Sequence, residues 1–394
     1  MKILHVSYYD IKGGAGLAAY RLCKAQRQLG MDARMLVAEK YSNDPWIIPV
    51  PEKKLKMIKF LQRAECFINV LFSDKKNFMP HSFNFFSLNI IQQIIDAKPD
   101  IVHLHWINGQ MLSCKEIAAI PFPTVWTLHD TWVYCGSEHH HLRNDKRFAE
   151  GYSGLTLETM VWKIKKHFWK NFNAVMIGPS AWITAEVSES ALFKNSSCRH
   201  IFNGIDLHDF RPIPKPEAKK YWNIPEDKQV IAIGAFSFND KNKGGQLLQD
   251  TLAKFPDAVV LTIGGDVPDK LHKNLIAAGK IDSPDILSKA YSAGDVFFSS
   301  AVYDNLPNML LEAVACGTPC VAVDTGGVRE ILNGKNGKTV PPDHKKLAQN
   351  IRYVLEHKEE FLPSAEIFNI KNSALTYIEI YNELIKKNFT GDKK

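Results

Sequence analysis

Short apolar runs alternate with helical patterns along the whole 394-residue chain. The first half opens with the strand pattern KILHVSY, the helical pattern GLAAYRLCKAQRQLG and the strand pattern DARMLVA. Comparable pairs recur to about residue 206, and a second series starts at QVIAIGAF. Strands that alternate with helices predict parallel sheets covered on both faces. The expected fold class is therefore α/β, with two doubly wound domains.

A proline-rich segment, DLHDFRPIPKPEAKK, separates the two series and predicts a linker, because three prolines lie within five residues. We expect an N-terminal domain over 1–205, a C-terminal domain over 206–375 and a final helix over 376–394. In doubly wound domains the binding crevice lies at the carboxyl ends of the strands. The cleft between the domains is the expected site.

The composition is that of an ordinary globular protein, with 45% hydrophobic and 23% charged residues. No apolar run has the length of a membrane span, and the first residues form a strand pattern without a signal-peptide cleavage site. The seven cysteines include no C-x-x-C pair, so free thiols in the cytoplasm are expected. A net charge of +7 is too small to imply a nucleic-acid partner.

Two basic segments, Met160–Phe172 and Glu52–Phe72, read as amphipathic helices. In the first, Lys163, Lys166 and Lys170 lie nearly opposite the apolar face. Such helices can bind an anionic membrane surface. Surface helices whose apolar faces belong to the core explain the same pattern, and both interpretations stay open.

The stretch Tyr303–Leu332 contains the most specific pattern of polar residues. Asp304 and Glu312 lie eight residues apart, and Gly326 and Gly327 form a turn after the next apolar run. A carboxylate such as Glu312 accepts two hydrogen bonds from a vicinal diol such as ribose, and Asp304 accepts from sugar hydroxyls. The alternative is that Glu312 is a surface helix residue and Asp304 a helix-capping acid.

The start of the helix between these two acids is a candidate phosphate site. Pro307 suits the first helical position. The N–H groups of Asn308 and Met309 would then point out of the helix end, where the dipole favours an anion. Diphosphate, ribose and sugar together describe a nucleotide-sugar.

Two further glycine-containing loops are weaker phosphate candidates. Gly13, Gly14 and Gly16 follow the first strand, although they do not form G-x-G-x-x-G and no acid follows at the distance that a dinucleotide site requires. Lys243 precedes a glycine pair. A structural turn and a solvated lysine explain these two features equally well.

Two groups of histidines remain open in function. His139, His140 and His141 form a triplet that either binds a metal or belongs to a loop near the cleft. His103 and His105 alternate on one strand face, and they either lie in the core or line the cleft.

The Tyr303–Leu332 stretch resembles the retaining glycosyltransferases of family 4, whose signature is two acids eight apart, then E-A-x-A-x-G-x-P, then G-G-x-x-E. These elements are present as Asp304, Glu312, EAVACGTP and GGVRE with Glu330. The resemblance implies the GT-B fold, in which two Rossmann-like domains face each other across a cleft and the C-terminal helix crosses back to the N-terminal domain. It extends over nearly the whole chain through KGGAG, HLHW, WTLHDTW, GPSAWI, IFNGIDLHDFRP and YSAGDVFFSSAVYDNLP.

The resemblance implies a role for each matching residue. It places His129 and Asp304 beside the transferred sugar, Glu312 on the ribose and Gly14 near the phosphate or acceptor side. It implies that the donor diphosphate contacts Lys243, Asn305, Leu306, Pro307, Asn308 and Met309, close to Gly326 and Gly327.

This sequence departs from the family pattern at two places. The first acid is usually glutamate, whereas Asp304 is one methylene shorter; the DNLPN version looks like a subgroup that builds bacterial cell-surface polysaccharides. The arginine that usually precedes the lysine is missing, and Ala235 stands in that strand. We expect Arg329 or Lys241 to replace its charge.

Transfer from a nucleotide-sugar leaves negative charge on the diphosphate, which Lys243 and the helix end would stabilise. The chain contains no D-x-D triplet, so we expect no metal and no other cofactor. No residue stands out as a covalent nucleophile, which favours a front-face mechanism for a retaining enzyme.

We therefore expect a retaining glycosyltransferase of the cytoplasm, with a nucleotide-sugar donor and a glycan or lipid-linked acceptor, near the inner face of the membrane. The alternatives are a non-catalytic relative that binds sugar nucleotides or glycans, and a dinucleotide-dependent enzyme. The donor base, the sugar, the acceptor and the oligomeric state do not follow from the sequence.

Overall fold

A computed structural model describes residues 1–72, 81–141, 144–237, 243–268 and 271–390. The chain divides into unit 1, Met1–Phe202 with Ser373–Lys394, and unit 2, Asn203–Asn372. Both division points lie three residues from the positions expected from the sequence. The linker prolines therefore belong to unit 2.

Unit 1 is built on a parallel sheet that has seven strands within the described residues, in the order β3-β2-β1-β4-β5-β6-β7. Its strands are β1 Lys2–Tyr9, β2 Asp32–Glu39, β3 Ile47–Pro49, β4 Ile101–Leu104, β5 Thr124–Thr127, β6 Ala174–Gly178 and β7 Cys198–His200. Its helices are α1 Gly13–Gln28, α2 Glu52–Phe72, α3 Ile91–Ala97, α4 Cys114–Ala118, α5 Arg147–Glu150, α6 Leu157–Phe168 and α7 Ala181–Glu189.

Unit 2 is built on a second parallel sheet, with six strands in the described part of the chain, in the order β10-β9-β8-β11-β12-β13. Its strands are β8 Val230–Ser237, β9 Val259–Gly265, β10 Leu275–Ala277, β11 Val296–Ser299, β12 Cys320–Val323 and β13 Gly337–Val340. Its helices are α8 Lys215–Tyr221, α9 Gly245–Leu252, α10 Pro284–Ala293, α11 Asn308–Ala315, α12 Val328–Ile331 and α13 His344–Glu356. Two parallel sheets with intervening helices confirm the α/β class.

The last helix, α14 Ile370–Thr390, belongs to unit 1 from Ser373 onward. Its Tyr377 and Tyr381 are 3% and 0% exposed. Their hydroxyls lie within hydrogen-bond distance of Thr127 on β5 and His103 on β4. The end of the chain therefore completes the core of unit 1.

The unit 2 sheet has the 3-2-1-4-5-6 strand order of doubly wound folds, and the unit 1 sheet has the same order with a seventh strand added at the end. This order places a topological switch point between strands 1 and 4. In unit 1 these are β1 and β4, and in unit 2 they are β8 and β11. Ligands of such sheets bind beyond the carboxyl ends of these strands. The loops after these four strands are therefore the first place to look for a site.

One predicted helix is much shorter in the structure. The pattern over 85–98 predicts a single helix, but α3 begins only at Ile91. Asn89 has a positive φ angle, which interrupts a helix, and the N–H of Ile90 bonds to the Glu116 carboxylate instead. Long-range pairing therefore overrides the local apolar period.

Candidate functional site

An ion pair lies at the switch point of unit 2. The Lys243 ammonium, just after β8, donates to Asp304 Oδ2 at 3.0 Å, and Asp304 follows β11. The two side chains are 28% and 23% exposed. The Ser300 hydroxyl also bonds to the Lys243 carbonyl, at 2.6 Å, which joins the two loops. A partly exposed cation and an acid are thereby held at the binding edge of the sheet.

Glu312 lies in helix α11, eight residues after Asp304, and is only 4% exposed. The Tyr291 hydroxyl on α10 donates to Glu312 Oε2 at 2.6 Å. A buried carboxylate is costly unless it is hydrogen-bonded, and Tyr291 offsets part of that cost. The interpretation of Glu312 as a surface helix residue is therefore wrong. Tyr291 was missed because a tyrosine in a helical pattern is read as core.

The expected position of Pro307 needs a correction of one residue. Helix α11 begins at Asn308, and Pro307 is the N-cap residue with extended backbone angles of −69° and 116°. Asp304 lies farther upstream and does not cap the helix, so the capping interpretation of this acid is wrong as well. The residues between them, Asn305 and Leu306, are buried at 7% and 5% exposure.

The half-buried Met309 packs in the first turn of α11 against strand β8. A Cβ atom added at Gly234 would lie 2.0 Å from Met309 Cε, which shows how closely this side chain approaches the strand. Asn308 is also half-buried at the same helix end. The first turn of α11 therefore packs beside the middle of β8.

The glycine turn after β12 closes the same site. Gly326 has φ +48°, and a Cβ atom there would lie 1.9 Å from the Asp304 carbonyl oxygen. The Gly327 N–H donates to the Asn305 carbonyl at 2.7 Å. The two glycines thus allow this turn to pack closely against the loop that carries Asp304.

Arg329 and Lys241 were the two residues expected to replace the charge of the missing arginine. Arg329 is 69% exposed and bonds to the carboxylate of Asp324 through two nitrogens, which commits its charge to an acid in unit 2. Lys241 lies outside the described residues.

The remaining predicted residues lie in unit 1. Gly13, Gly14 and Gly16 form the first turn of α1, where Gly13 has φ +69° and Gly14 is exposed. A Cβ atom at Gly16 would lie 2.9 Å from the Asp10 carbonyl oxygen. The helix is therefore packed directly against the end of β1.

His129 follows β5 and is half-buried at the carboxyl edge of the unit 1 sheet. Its Nε2 lies 3.1 Å from Nδ1 of His105. Burial lowers the pKa of His129 to about 4, so the ring is neutral near pH 7. The predicted residues thus fall into two groups, one at the switch-point edge of each sheet.

Asp130, next to His129, is a polar site residue that the sequence did not reveal. It accepts from the Trp106 indole at 2.7 Å and lies 2.5 Å from His139 Nδ1. Burial raises its pKa, but the charge and hydrogen bond of His139 outweigh this effect and the pKa is lowered. His139 Nε2 is 2.8 Å from the Ser82 hydroxyl. These contacts hold the loop that presents His129.

The histidines whose function the sequence left open form hydrogen bonds with other side chains of unit 1. His141 Nε2 lies 2.9 Å from Glu186, so His139 and His141 both belong to a loop held by acids. His103 and His105 are buried at 0% and 3% exposure and form, with His5, a cluster inside unit 1. Every ring nitrogen of these three histidines lies within hydrogen-bond distance of a side chain. The cluster is therefore a hydrogen-bond network of the core.

We expect this cluster to make the protein sensitive to acid. Burial lowers the pKa of His5 from 6.5 to about 4, and the pKa values of His103 and His105 lie well below the usual range. Between pH 6.5 and 4 the unfolded chain binds protons that the folded chain does not, so stability falls as the pH falls. Urea unfolding at pH 7 and pH 5 should show a loss of about 2 kcal/mol from His5 alone.

A variant pair separates this effect from general acid denaturation. His5→Gln removes one buried titrating ring and should make the loss between pH 7 and 5 smaller. His208→Gln changes a side chain that is 93% exposed and should keep the parent's loss. Equal losses in both variants would contradict the assignment.

The sequence and the fold both match known proteins. Residues 12–209 match the family described as Glycosyltransferase Family 4, and residues 227–357 match Glycosyl transferases group 1.

The chain is 26% identical over 288 residues to the sulfoquinovosyl transferase SQD2 of Arabidopsis thaliana, covering 69% of this chain and 53% of that protein. It is 25% identical over 288 residues to a protein of Escherichia coli (strain K12) provisionally named as the colanic acid biosynthesis glycosyl transferase WcaC, covering 62% and 64%. The matches span about half to two thirds of these relatives.

Two solved structures share the fold over nearly their full lengths. Sucrose-phosphate synthase from Thermosynechococcus elongatus has a TM-score of 0.67 at 18% identity, covering 98% of this chain and 100% of that one. Anabaena HepE in complex with UDP has a TM-score of 0.61 at 16% identity, covering 97% and 100%. These likenesses confirm the GT-B fold. The acid pair and glycine turn of Tyr303–Leu332, the two parallel sheets and the match over residues 12–209 together show that the chain belongs to glycosyltransferase family 4.

Proposed function

We propose that this protein transfers a sugar from a nucleoside-diphosphate sugar to a hydroxyl group of a glycan or lipid-linked acceptor. The observation that carries the proposal is the Lys243–Asp304 ion pair at the switch point of unit 2, followed along the chain by helix α11 with its buried Glu312. A cation and a helix N-terminus suit the diphosphate, and a buried carboxylate suits the ribose diol. Asp304 would then contact the sugar.

The proposed chemistry follows from this charge distribution. Cleavage of the anomeric C–O bond leaves positive charge on the sugar and negative charge on the departing diphosphate. Lys243 and the N–H groups at the start of α11 stabilise that negative charge. Asp304 also orients the Lys243 ammonium, because the two side chains are 3.0 Å apart.

We further propose that the transfer retains the anomeric configuration and needs no metal. Asp304 is committed to an ion pair with Lys243 and Glu312 to the Tyr291 hydroxyl, so neither acid is arranged as a covalent nucleophile. A front-face step is then favoured, in which the leaving phosphate oxygen takes the acceptor proton. Lys243 supplies the positive charge that a metal would otherwise provide.

The acceptor belongs, in this proposal, to cell-surface glycan or glycolipid synthesis at the cytoplasmic face of a membrane. The names of three relatives support this: the sulfoquinovosyl transferase SQD2, the provisionally named colanic acid enzyme WcaC, and the phosphatidyl-myo-inositol mannosyltransferase of Mycolicibacterium smegmatis.

The first experiment is a thermal-shift panel with UDP, GDP, ADP and their common sugar conjugates, repeated with EDTA. Stabilisation by one nucleotide family supports the donor site and names the base, because a ligand that binds the folded state raises Tm. An unchanged shift in EDTA supports metal independence. No shift with any nucleotide favours a non-catalytic relative, and stabilisation by a nicotinamide dinucleotide alone would replace the proposal.

A surface of unit 1 supports peripheral contact with anionic membrane. On α2, Met57, Phe60 and Phe67 are 48%, 64% and 65% exposed and share one face. The exposed basic residues Lys53 and Arg63 flank them. Apolar side chains with basic neighbours are typical of helices that lie on anionic bilayers. No helix within the described residues has the length and apolarity that crossing a bilayer requires.

Replacing Phe60 and Phe67 by serine should weaken binding to anionic vesicles about tenfold or more in co-sedimentation, because two large apolar side chains leave the bilayer interface. Phospholipid vesicles without net charge serve as the lipid control. The triple variant with glutamine at Lys163 and Lys166 of α6 and at Lys170, which lies in the turn after this helix, tests the other basic segment. The apolar Val161 and Trp162 of α6 are buried in the core. Equal binding of the parent to charged and uncharged vesicles would contradict the proposal.

A further inference from the structure

A continuous chain of hydrogen bonds runs from His129 at the sheet edge into the core of unit 1 and reaches the C-terminal helix. We call it the histidine network. Its members, in order, are His129, His105, His5, Gln26, Tyr381, His103, Thr127 and Tyr377. It joins strands β1, β4 and β5 to helices α1 and α14. The tertiary structure therefore links Gln26 to His129 through a series of hydrogen bonds.

Each of the three buried imidazoles of this network, those of His5, His103 and His105, makes one hydrogen bond as a donor and one as an acceptor. His5, His103 and His105 are 0%, 0% and 3% exposed, and a buried imidazole stays neutral near pH 7. A neutral imidazole carries one N–H and one lone pair. Once the direction of a single hydrogen bond is known, the tautomer of every ring along the chain follows.

The distances around Tyr381 give that direction. Its hydroxyl lies 2.6 Å from His103 Nδ1 and 3.1 Å from Gln26 Nε2. Hydrogen bonds donated by O–H are shorter than those donated by N–H. The short contact is therefore Tyr381 donating to His103, and the longer one is the Gln26 amide donating to Tyr381. The Gln26 carbonyl oxygen consequently faces His5 Nε2, at 2.8 Å.

The tautomers then follow step by step toward the sheet edge. A carbonyl oxygen only accepts, so His5 carries its proton on Nε2 and accepts at Nδ1. His105 Nε2 must donate to His5 across their 2.9 Å contact, which leaves His105 Nδ1 as an acceptor. His129 Nε2 must donate to that nitrogen across 3.1 Å.

We propose that Gln26, oriented by Tyr381, sets the tautomer of His129, with the proton on Nε2 and the lone pair on Nδ1. Gln26 is a positioning residue, since it acts on His129 through His5 and His105. Only the functional consequence of this tautomer rests on the proposed function. If His129 lies beside the transferred sugar, its Nδ1 accepts a hydrogen bond from a sugar hydroxyl. The tautomer itself is independent of any activity.

The test is ¹⁵N NMR of histidine-labelled protein at pH 7.5, because imidazole nitrogens with and without a proton differ widely in chemical shift. The His129 signals are assigned by their loss in His129→Asn. We expect an unprotonated Nδ1 and a protonated Nε2 in the parent. A proton on Nδ1 of His129 in the parent would overturn the proposal without the need for any variant.

Two variants test the role of Gln26. Gln26→Met keeps the side-chain length and removes the amide, so His129 should show a mixture of tautomers. Gln92→Met is the matched control, because Gln92 is exposed on α3 and bonds only locally, to Asp96. The parent tautomer in Gln26→Met would overturn the proposal. Should that variant not fold, Tyr381→Phe frees the amide to turn and gives the same test.

Kinetics separate this inference from the proposed function. If the protein is a transferase, Gln26→Met should lower kcat/KM about tenfold in the parent and less than twofold in His129→Asn, because both changes act through one ring. Equal losses in both backgrounds would show that Gln26 acts on stability alone. Absence of transfer by the parent defeats the proposed function and leaves the NMR result to decide the tautomer.

Discussion

Glutamine in place of Glu312 is expected to lower kcat/KM for the nucleotide-sugar by at least about 100-fold. A carboxylate that accepts two hydrogen bonds from a ribose diol loses about 1.5–3 kcal/mol for each bond when its charge is removed, and 1.4 kcal/mol is a factor of ten. Glutamine can still accept from the Tyr291 hydroxyl, so the fold should survive. The measurement is steady-state transfer, with donor Kd from calorimetry.

Two further variants test whether the loss of activity comes from the carboxylate of Glu312 itself. Tyr291→Phe removes the group that orients the carboxylate and should give a smaller loss, of about tenfold. Glu356→Gln changes an exposed acid at the end of α13 and should behave as the parent. Donor affinity in Glu312→Gln equal to that of the parent would remove Glu312 from the ribose site.

Methionine in place of Lys243 is expected to lower kcat by about 100-fold or more, with a smaller change in donor Kd. Charge builds on the leaving diphosphate mainly in the transition state, and one preorganised donor there is worth about 3–4 kcal/mol. The measurement is kcat with each donor at saturation. A variant whose kcat is unchanged would show that Lys243 does not face the leaving group.

The ion pair with Asp304 supplies an internal comparison. Asp304→Asn should also reduce kcat, and the double variant should lose less than the sum of the two single losses, because the side chains are 3.0 Å apart. Lys289→Met is the matched control, since it breaks a Lys–Asp pair of 2.8 Å on the surface of α10. Surface pairs of this kind contribute little to stability because water and salt screen the two charges.

Much of the fold was predictable, and particular elements show why. Strand β8 is a nearly continuous apolar run, which is the pattern of a strand buried on both faces, and α13 has a clear helical period. The short strands β3, β10 and β13 were missed, because segments of three or four residues carry too little periodicity. The helix predicted over 85–98 was too long, because the helical spacing of its apolar residues continues through residues that bond to other segments.

The candidate site was predictable where its residues follow one another in a motif. Asp304 and Glu312 were identified by their spacing, and the structure places Asp304 in the loop after β11 and Glu312 in the next helix, α11. Tyr291 and Asp130 were not identified, because their importance depends on a partner in another element. The roles of all of these residues on a bound donor stay predictions.

The sequence by itself determined the α/β class, the two series of strands and the family motif, because periodicity and spacing are local properties of the chain. Only the tertiary structure decided that Glu312 is buried against Tyr291, and that His103 meets Tyr381 although 278 positions separate them in the chain. A hydrogen bond depends on the distance between two atoms, which is set by how strands and helices pack. Burial of a polar side chain and the choice of its partner are therefore properties of the packed core, and no local pattern encodes them.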